Sequence, residues 1–244
     1  ISLAMAGGEP QHLPVMIATV KAIIKLGGRA RAWLMSTSPD APMMVVNGPI
    51  VDEIGLNYGK CSFGPGRQSR VNITLGRAMR LILMNVGHNY PGEMDMDTIG
   101  SALKFSLCAS ESPTAHYWPT FQSMKGLGND VNTVTAVGIR DIIDVPDLVN
   151  FAPEGILTTV VNTLHGGGRY TTYRWSDPDP YDPEGGFGAI VILATDHAKR
   201  CAEAGWNKEM VRDFLWGKAR VSVAGLQNGF KGNPSWVLPP WRWI

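Results

Sequence analysis

At 244 residues with a formal net charge of +1, the chain is long enough to bury a full core and has neither a basic stripe for nucleic acid nor a polybasic membrane anchor. No apolar run approaches the roughly 20 residues of a membrane span, and no charged signal-peptide start is visible. Three scattered cysteines, at 61, 108 and 201, fit neither a disulfide framework nor a zinc knuckle, which points to a reducing cytoplasm.

The chain opens on Ile1 rather than methionine, so its natural N-terminus is expected to be missing, processed or part of a longer polypeptide. Ala6-Gly7-Gly8-Glu9-Pro10 reads as a loop. It feeds a helix in which Leu13, Met16, Ile17, Val20, Ile23 and Ile24 recur at helical spacing, with Pro14 suited to the first turn. Strands are expected over Arg31 to Ser36 and Met43 to Val46, split by the turn formers Ser38-Pro39-Asp40-Ala41-Pro42. The second strand ends at Asn47-Gly48-Pro49. Cys61 to Arg70 is rich in glycine, proline and arginine, after which Asn72 or Thr74 is placed to cap a helix through Leu75, Met79, Ile82 and Leu83.

Asn89-Tyr90-Pro91-Gly92 reads as a turn followed by a solvated acidic stretch, Glu93, Asp95 and Asp97. A strand over 103–108 follows, then an irregular region holding His116. Val131 to Ile139 alternates as a strand does, and Pro153-Glu154 opens a helix to about Leu164. Residues 170–188 form a long proline-rich arm of the sort used as a lid or subunit contact. Ala189 to Ala194 reads as an apolar strand ending in Thr195-Asp196-His197, and helices over 196–204 and 207–218 follow, the second capped by Asn207.

This alternation predicts an α/β layered fold with a mostly parallel or mixed central sheet flanked by helices, in one domain over 1–225. The aromatic tail, 226–244, is expected to pack on its own or a partner subunit.

Lys104 to Pro113 carries the most chemistry: an apolar run that ends on Cys108-Ala109-Ser110-Glu111. A strand has no structural need to finish on an ionisable carboxylate, and in open α/β sheets ligands bind past the carboxyl ends of strands. Asn47, Cys108 to Glu111 and Asp196-His197 all follow such ends and meet in one crevice if the strands run parallel. Otherwise Glu111 and His197 cap helices or turns. Glu111 is the first candidate for a general acid or base. Cys108 is the weaker candidate, since a free cysteine in an apolar strand is usually an inert small hydrophobe. Ser110 lacks the Gly-x-Ser-x-Gly elbow.

Gly64-Pro65-Gly66-Arg67-Gln68-Ser69-Arg70, ahead of a helix, is a candidate anion seat through Arg67 and Arg70, although it is neither a Walker A nor a dinucleotide motif. The alternative is a surface loop whose arginines pair with Glu93 or Asp95. Arg77 and Arg80 read as helix-surface residues or subunit ion pairs. The five histidines show no metal-ligand spacing, and Glu93, Asp95 and Asp97 break the EF-hand pattern. No metal site is assigned, and no cofactor is indicated.

Ala4-Met5-Ala6-Gly7 with Pro10 and Pro14, Asn47-Gly48-Pro49-Ile50, Gly76-Arg77-Ala78 with Arg80, Asn85-Val86-Gly87, Pro91-Gly92-Glu93 and Cys108 with Glu111 together resemble a bacterial protein family encoded with, or fused to, small redox proteins bearing a Gly-Ser-Cys or selenocysteine motif. The resemblance reaches to about Arg220 and implies a component of a multi-part cytoplasmic enzyme, with no stated activity. Where relatives resemble Ala-Gly-Cys-x-Pro-Glu-Tyr, this chain has Gly8 in place of the thiol, with Glu9 and His12 nearby.

These readings converge on an enzyme, or a catalytic subunit, acting on a small anionic organic substrate by lyase-, hydratase- or hydrolase-type chemistry. Glu111 transfers the proton, Glu9, His12 or His197 assists, and Asn47, Ser110, Arg67 and Arg70 bind. A homo- or hetero-oligomer is expected. Two alternatives stay open: a thiol- or selenol-linked oxidoreductase subunit using Cys108, and a non-catalytic subunit of a heteromeric complex.

Overall fold

The computed structural model describes residues 1–27, 30, 34–113, 117–166 and 190–219, and these divide into two compact units, Ile1–Ile143 and Asp144–Ile244. The reading of one domain over 1–225 placed no break at 143. The segment there, Ile142-Ile143-Asp144-Val145-Pro146, lacks the glycine- or serine-rich composition that marks a linker. The proline-rich arm and the aromatic tail lie outside the described residues.

The first unit is α/β. In chain order it contains α1 (Ser2–Met5), a 3-10 turn (Pro10–His12), α2 (Leu13–Leu26), β1 (Ala41–Asn47), α3 (Ile50–Glu53), a 3-10 turn (Arg67–Ser69), α4 (Arg70–Asn85), a 3-10 turn (Ala102–Lys104), β2 (Cys108–Ser110), α5 (Phe121–Met124) and β3 (Thr133–Ile139). The sheet is small and mixed, in the order β2-β1-β3. β1 pairs in parallel with β2, Met44 opposite Cys108 and Val46 opposite Ser110, and antiparallel with β3, Asn47 opposite Thr133.

Strand alternation sorts β1 between two apolar clusters. Met44 and Val46 join Cys108, Leu75, Ala78, Met79, Val15 and Met16 in the main core, under α2 and α4. Ala41 and Met43 turn the other way, to Leu107, Ala109 and the partly buried Phe63 and Leu103. α4 approaches β2 at Gly76, where a Cβ would fall within 3.0 Å of the Leu107 backbone nitrogen and the Ser106 hydroxyl.

Several expectations are corrected. Leu34 is helical and 35–40 contain no strand, so the segment 31–36 supplies none among its described residues. The strand expected over 103–108 starts only at Cys108. Before it, the Ser101 hydroxyl accepts the Leu103 N–H and closes a helical turn. α4 begins at Arg70, so Asn72 sits inside its first turn and bonds elsewhere.

Of the acidic stretch only Glu93 is exposed, and Asp95 and Asp97 are not solvated. Asp95 accepts from Arg80 at 3.2 Å and Lys104 at 2.7 Å, Lys104 reaches Asp97 at 2.9 Å, and all four side chains are at most 9 % exposed. Arg80, expected at the surface, is the buried centre of this network and also donates to Asn89. A buried guanidinium needs such partners.

The second unit contains α6 (Pro153–Gly166), α7 (Thr195–Glu203) and α8 (Lys208–Lys218), with Ile156, Leu157, Val161, Cys201 and Val211 as its core. Asn207 caps α8 as expected, accepting the Met210 N–H at 2.8 Å. Residues 190–194 are not a strand: Ile190 and Ile192 are exposed and pair with nothing in a sheet. An apolar run alone does not fix conformation without a strand to pair with.

Candidate functional site

The parallel register explains why Asn47 and Glu111 meet. With Val46 opposite Ser110, the next residue of each chain leaves the sheet at the same end, and the odd-numbered positions 47 and 111 turn to the same face as Met43 and Ala109. Asn47 Nδ2 donates to Glu111 Oε2 at 2.8 Å, and the Phe121 backbone N–H donates to the same oxygen at 2.7 Å. Two donors on one oxygen fix the plane and the tilt of the carboxylate. The assignment of the Asn47 amide follows, since its oxygen would repel an ionised carboxylate in that place.

Asn47 itself is 2 % exposed, and its Oδ1 is buried with no hydrogen-bond partner. Gly48, at φ +103°, turns the chain out of β1 where a Cβ would lie 2.5 Å from the Val131 carbonyl oxygen and 2.7 Å from Asn132 Oδ1. Only glycine fits both demands.

Ser110 carries the site toward α4. Its hydroxyl donates to the Asn57 carbonyl at 3.2 Å. Asn72 holds Asn57 by two bonds, accepting its N–H at 2.8 Å and donating to its carbonyl at 2.9 Å. Asn57 Nδ2 in turn donates to the Ser69 hydroxyl at 2.9 Å. Arg70, at the start of α4, ion-pairs with Glu9 at 2.7 Å, not with Glu93 or Asp95. Arg67 is exposed and has no ion-pair or hydrogen-bond partner among the described residues.

Glu9 and His12 form one unit. The Glu9 N–H donates to His12 Nδ1 at 3.0 Å, which leaves the proton of the neutral imidazole on Nε2, and that atom is buried without a partner. Burial, helped by the Arg70 guanidinium and opposed by Glu9, holds the imidazole below its ordinary pKa. The hydrogen bond and charge of Arg70 hold the Glu9 carboxyl below the usual carboxylate range. A chain of hydrogen-bonded or sequence-adjacent neighbours therefore joins His12, Glu9, Arg70, Ser69, Asn57, Ser110, Glu111 and Asn47 within the first unit.

Two sequence candidates behave differently. Cys108 is 2 % exposed in the main core, and burial pushes its thiol far above the ordinary range, which disfavours the thiolate that redox or nucleophilic chemistry needs. His197 follows no strand end. It lies in the first turn of α7 in the second unit, where Nε2 meets the Asp147 carbonyl oxygen at 3.0 Å. Asp147 is well below the usual carboxylate range, because the Asn150 backbone and side chain, Thr159 and the Val149 N–H all donate to it.

Sequence reasoning missed Asn57 and Gln122, whose long-range partners leave no local pattern. Gln122 is 3 % exposed, and Nε2 donates to the carbonyls of Val131 at 3.1 Å and of Gly128 and Asn129 at 3.3 Å. Among the described residues no group of three or more histidine, cysteine, aspartate or glutamate side chains is arranged to hold a metal ion. No described helix is long and apolar enough to cross a membrane. Compared with known proteins, the chain matches no family model, no curated protein and no solved structure.

Proposed function

We propose that the chain is an enzyme, or the catalytic subunit of one, that moves a proton on a small anionic organic molecule at the end of the β1–β2 pair. Glu111 is the proton-transfer group. The reading is carried by one observation: this partly exposed carboxylate is oriented by a fully buried asparagine amide and a backbone N–H at the carboxyl ends of two parallel strands. The Arg67 guanidinium, without a partner among the described residues, offers the anionic handle, and the partly exposed Glu9 with the buried His12 supplies a second titratable site beside Arg70. The reaction class is addition or elimination across a carbon–heteroatom bond. The resemblance to the family associated with Gly-Ser-Cys redox proteins supports placing the chain in a multi-part, oligomeric, cytoplasmic enzyme. The buried state of Cys108 weighs against the thiol-based alternative.

The test needs no knowledge of the net reaction. The protein is incubated in D2O with a panel of small hydroxy-, keto-, amino- and phospho-acids, and loss of C–H signals is followed by proton NMR. Glu111→Gln keeps an oxygen to accept from Asn47 and Phe121 but cannot take a proton. The wild type should exchange at least one compound, and the variant should do so about a hundredfold more slowly or worse. Equal exchange rates in both proteins, or no exchange with any compound, would remove the assignment.

A further inference from the structure

α2 has a second apolar face besides the one it buries. Val15 and Met16 hold its core side in the main cluster, next to the buried Thr19, whose hydroxyl donates to the Val15 carbonyl at 2.8 Å. Away from that side Leu13, Ile17 and Ile24 are 50 %, 48 % and 72 % exposed, and Val20 between them is partly exposed. These four recur at i, i+4, i+7 and i+11, which at about 100° per residue gathers them within an arc of about 60°. Exposed apolar residues scattered singly need no explanation, whereas a continuous stripe of them marks a contact surface.

The shape of the stripe selects the kind of cover. A helix that lies in a bilayer interface has a strongly basic polar face opposite a broad apolar one. Here the stripe is narrow and the helix carries two lysines, so its 4-3-4 spacing fits the seam through which one helix packs on another. The charge beside the stripe selects the helix. Lys21 and Lys25 follow one edge of it, both exposed and neither in an ion pair or hydrogen bond among the described residues, and α2 contains no aspartate or glutamate. A second copy of α2 packed antiparallel across a two-fold axis sets that edge against itself, with lysines beside lysines and no carboxylate on either helix.

From spacing and charge together we infer that the exposed stripe of α2 is a docking surface for an acidic amphipathic helix of another polypeptide. That helix spans about three turns, repeats the apolar 4-3-4 spacing, and brings glutamate or aspartate to the edge that meets Lys21 and Lys25. It runs antiparallel to α2. Its acidic first turn then lies at the lysine-bearing end of α2, an arrangement that suits the dipoles of both helices. The inference is independent of the proton-transfer reading, since none of these side chains belongs to the Glu111 site.

The test uses the whole chain and two fluorescent three-heptad peptides with leucine at both seam positions, one flanked by glutamate and the other by lysine. Anisotropy titrations should show the wild type binding the glutamate peptide about tenfold or more tighter than the lysine peptide. Lys21→Glu with Lys25→Glu should reverse that preference. Ile17→Gln with Ile24→Gln should bind neither peptide, and both double variants, changed only at exposed positions, should keep the far-ultraviolet circular dichroism of the wild type. A wild type that binds neither peptide, or both equally, overturns the inference. Self-association in sedimentation that disappears in Ile17→Gln with Ile24→Gln, without any peptide preference, would replace the acidic helix with a second copy. Binding to phosphatidylserine vesicles that is lost in the same variant, again without peptide preference, would replace it with a bilayer.

Discussion

Gly76 sits in the middle of α4, where glycine is normally a liability of about 1 kcal/mol against alanine. Substituting alanine should still destabilise the protein. The new methyl group would fall within 3.0 Å of both the Leu107 backbone nitrogen and the Ser106 hydroxyl. The hydroxyl can swing away, but only by giving up its 2.8 Å bond to the Ile73 carbonyl, at a cost of about 1 kcal/mol. The Leu107 nitrogen cannot move so freely, because β2 is paired to β1 directly after it. α4 must therefore retreat from the sheet, and overpacking of that kind costs about 1–3 kcal/mol. Against the helix-propensity gain, the net loss is about 2 kcal/mol, which lowers the urea midpoint by about 1 M at a slope near 2 kcal/mol/M. Gly217→Ala is the control, since no heavy atom lies within 4 Å of its added Cβ in α8. Circular dichroism at increasing urea should show the first variant falling and the second unchanged or rising. If both rise alike, the close approach of α4 to β2 is wrong.

Three further outcomes follow from the geometry. Asp95→Asn leaves the buried Arg80 and Lys104 without their shared carboxylate and should cost about 3–5 kcal/mol; a loss under about 1 kcal/mol by urea unfolding would mean the network is solvated. His12 has a folded pKa below its unfolded value of about 6.5, so unfolding takes up a proton as pH drops under that value and stability declines toward pH 5. Midpoints measured from pH 8 to 5 should flatten in His12→Asn, which keeps an acceptor for the Glu9 N–H, and an unchanged slope would show that His12 is not the titrating group. Of the three cysteines, only Cys61 is exposed, so iodoacetamide should label one thiol in the folded protein and Cys108 only after unfolding. Prompt labelling of Cys108 would revive the thiol reading.

What could be read from the sequence was the local part. β1 announces itself through the apolar run from Met43 to Val46, β3 through β-branched residues and alternation, α2, α4 and α6 through apolar spacing, and the caps through single residues such as Asn207. What could not be read depends on partners far along the chain. Lys104 reads as a strand residue until Asp95 and Asp97 are seen to claim it. The 189–194 run has the composition of a strand, and its described residues find no sheet to join. Strand direction is the largest of these gaps. The meeting of Asn47 with Glu111 requires β1 and β2 to be parallel, and no residue within either strand encodes that.

Asparagine at position 47 shows what the contact to Glu111 costs and what it keeps. An aspartate there would set two carboxylates against each other, a leucine would leave Glu111 with the Phe121 N–H alone as its donor from this pair, and a serine is too short to reach across the strand ends. Asparagine donates to the carboxylate, yet it strands its own oxygen in a buried place, at a cost of about 1–3 kcal/mol. Gln122 does the same to gather the 128–131 turn. Two such losses in the first unit are a poor solution for stability alone. Local rules broken together at one strand end mark a functional site more often than a packing fault.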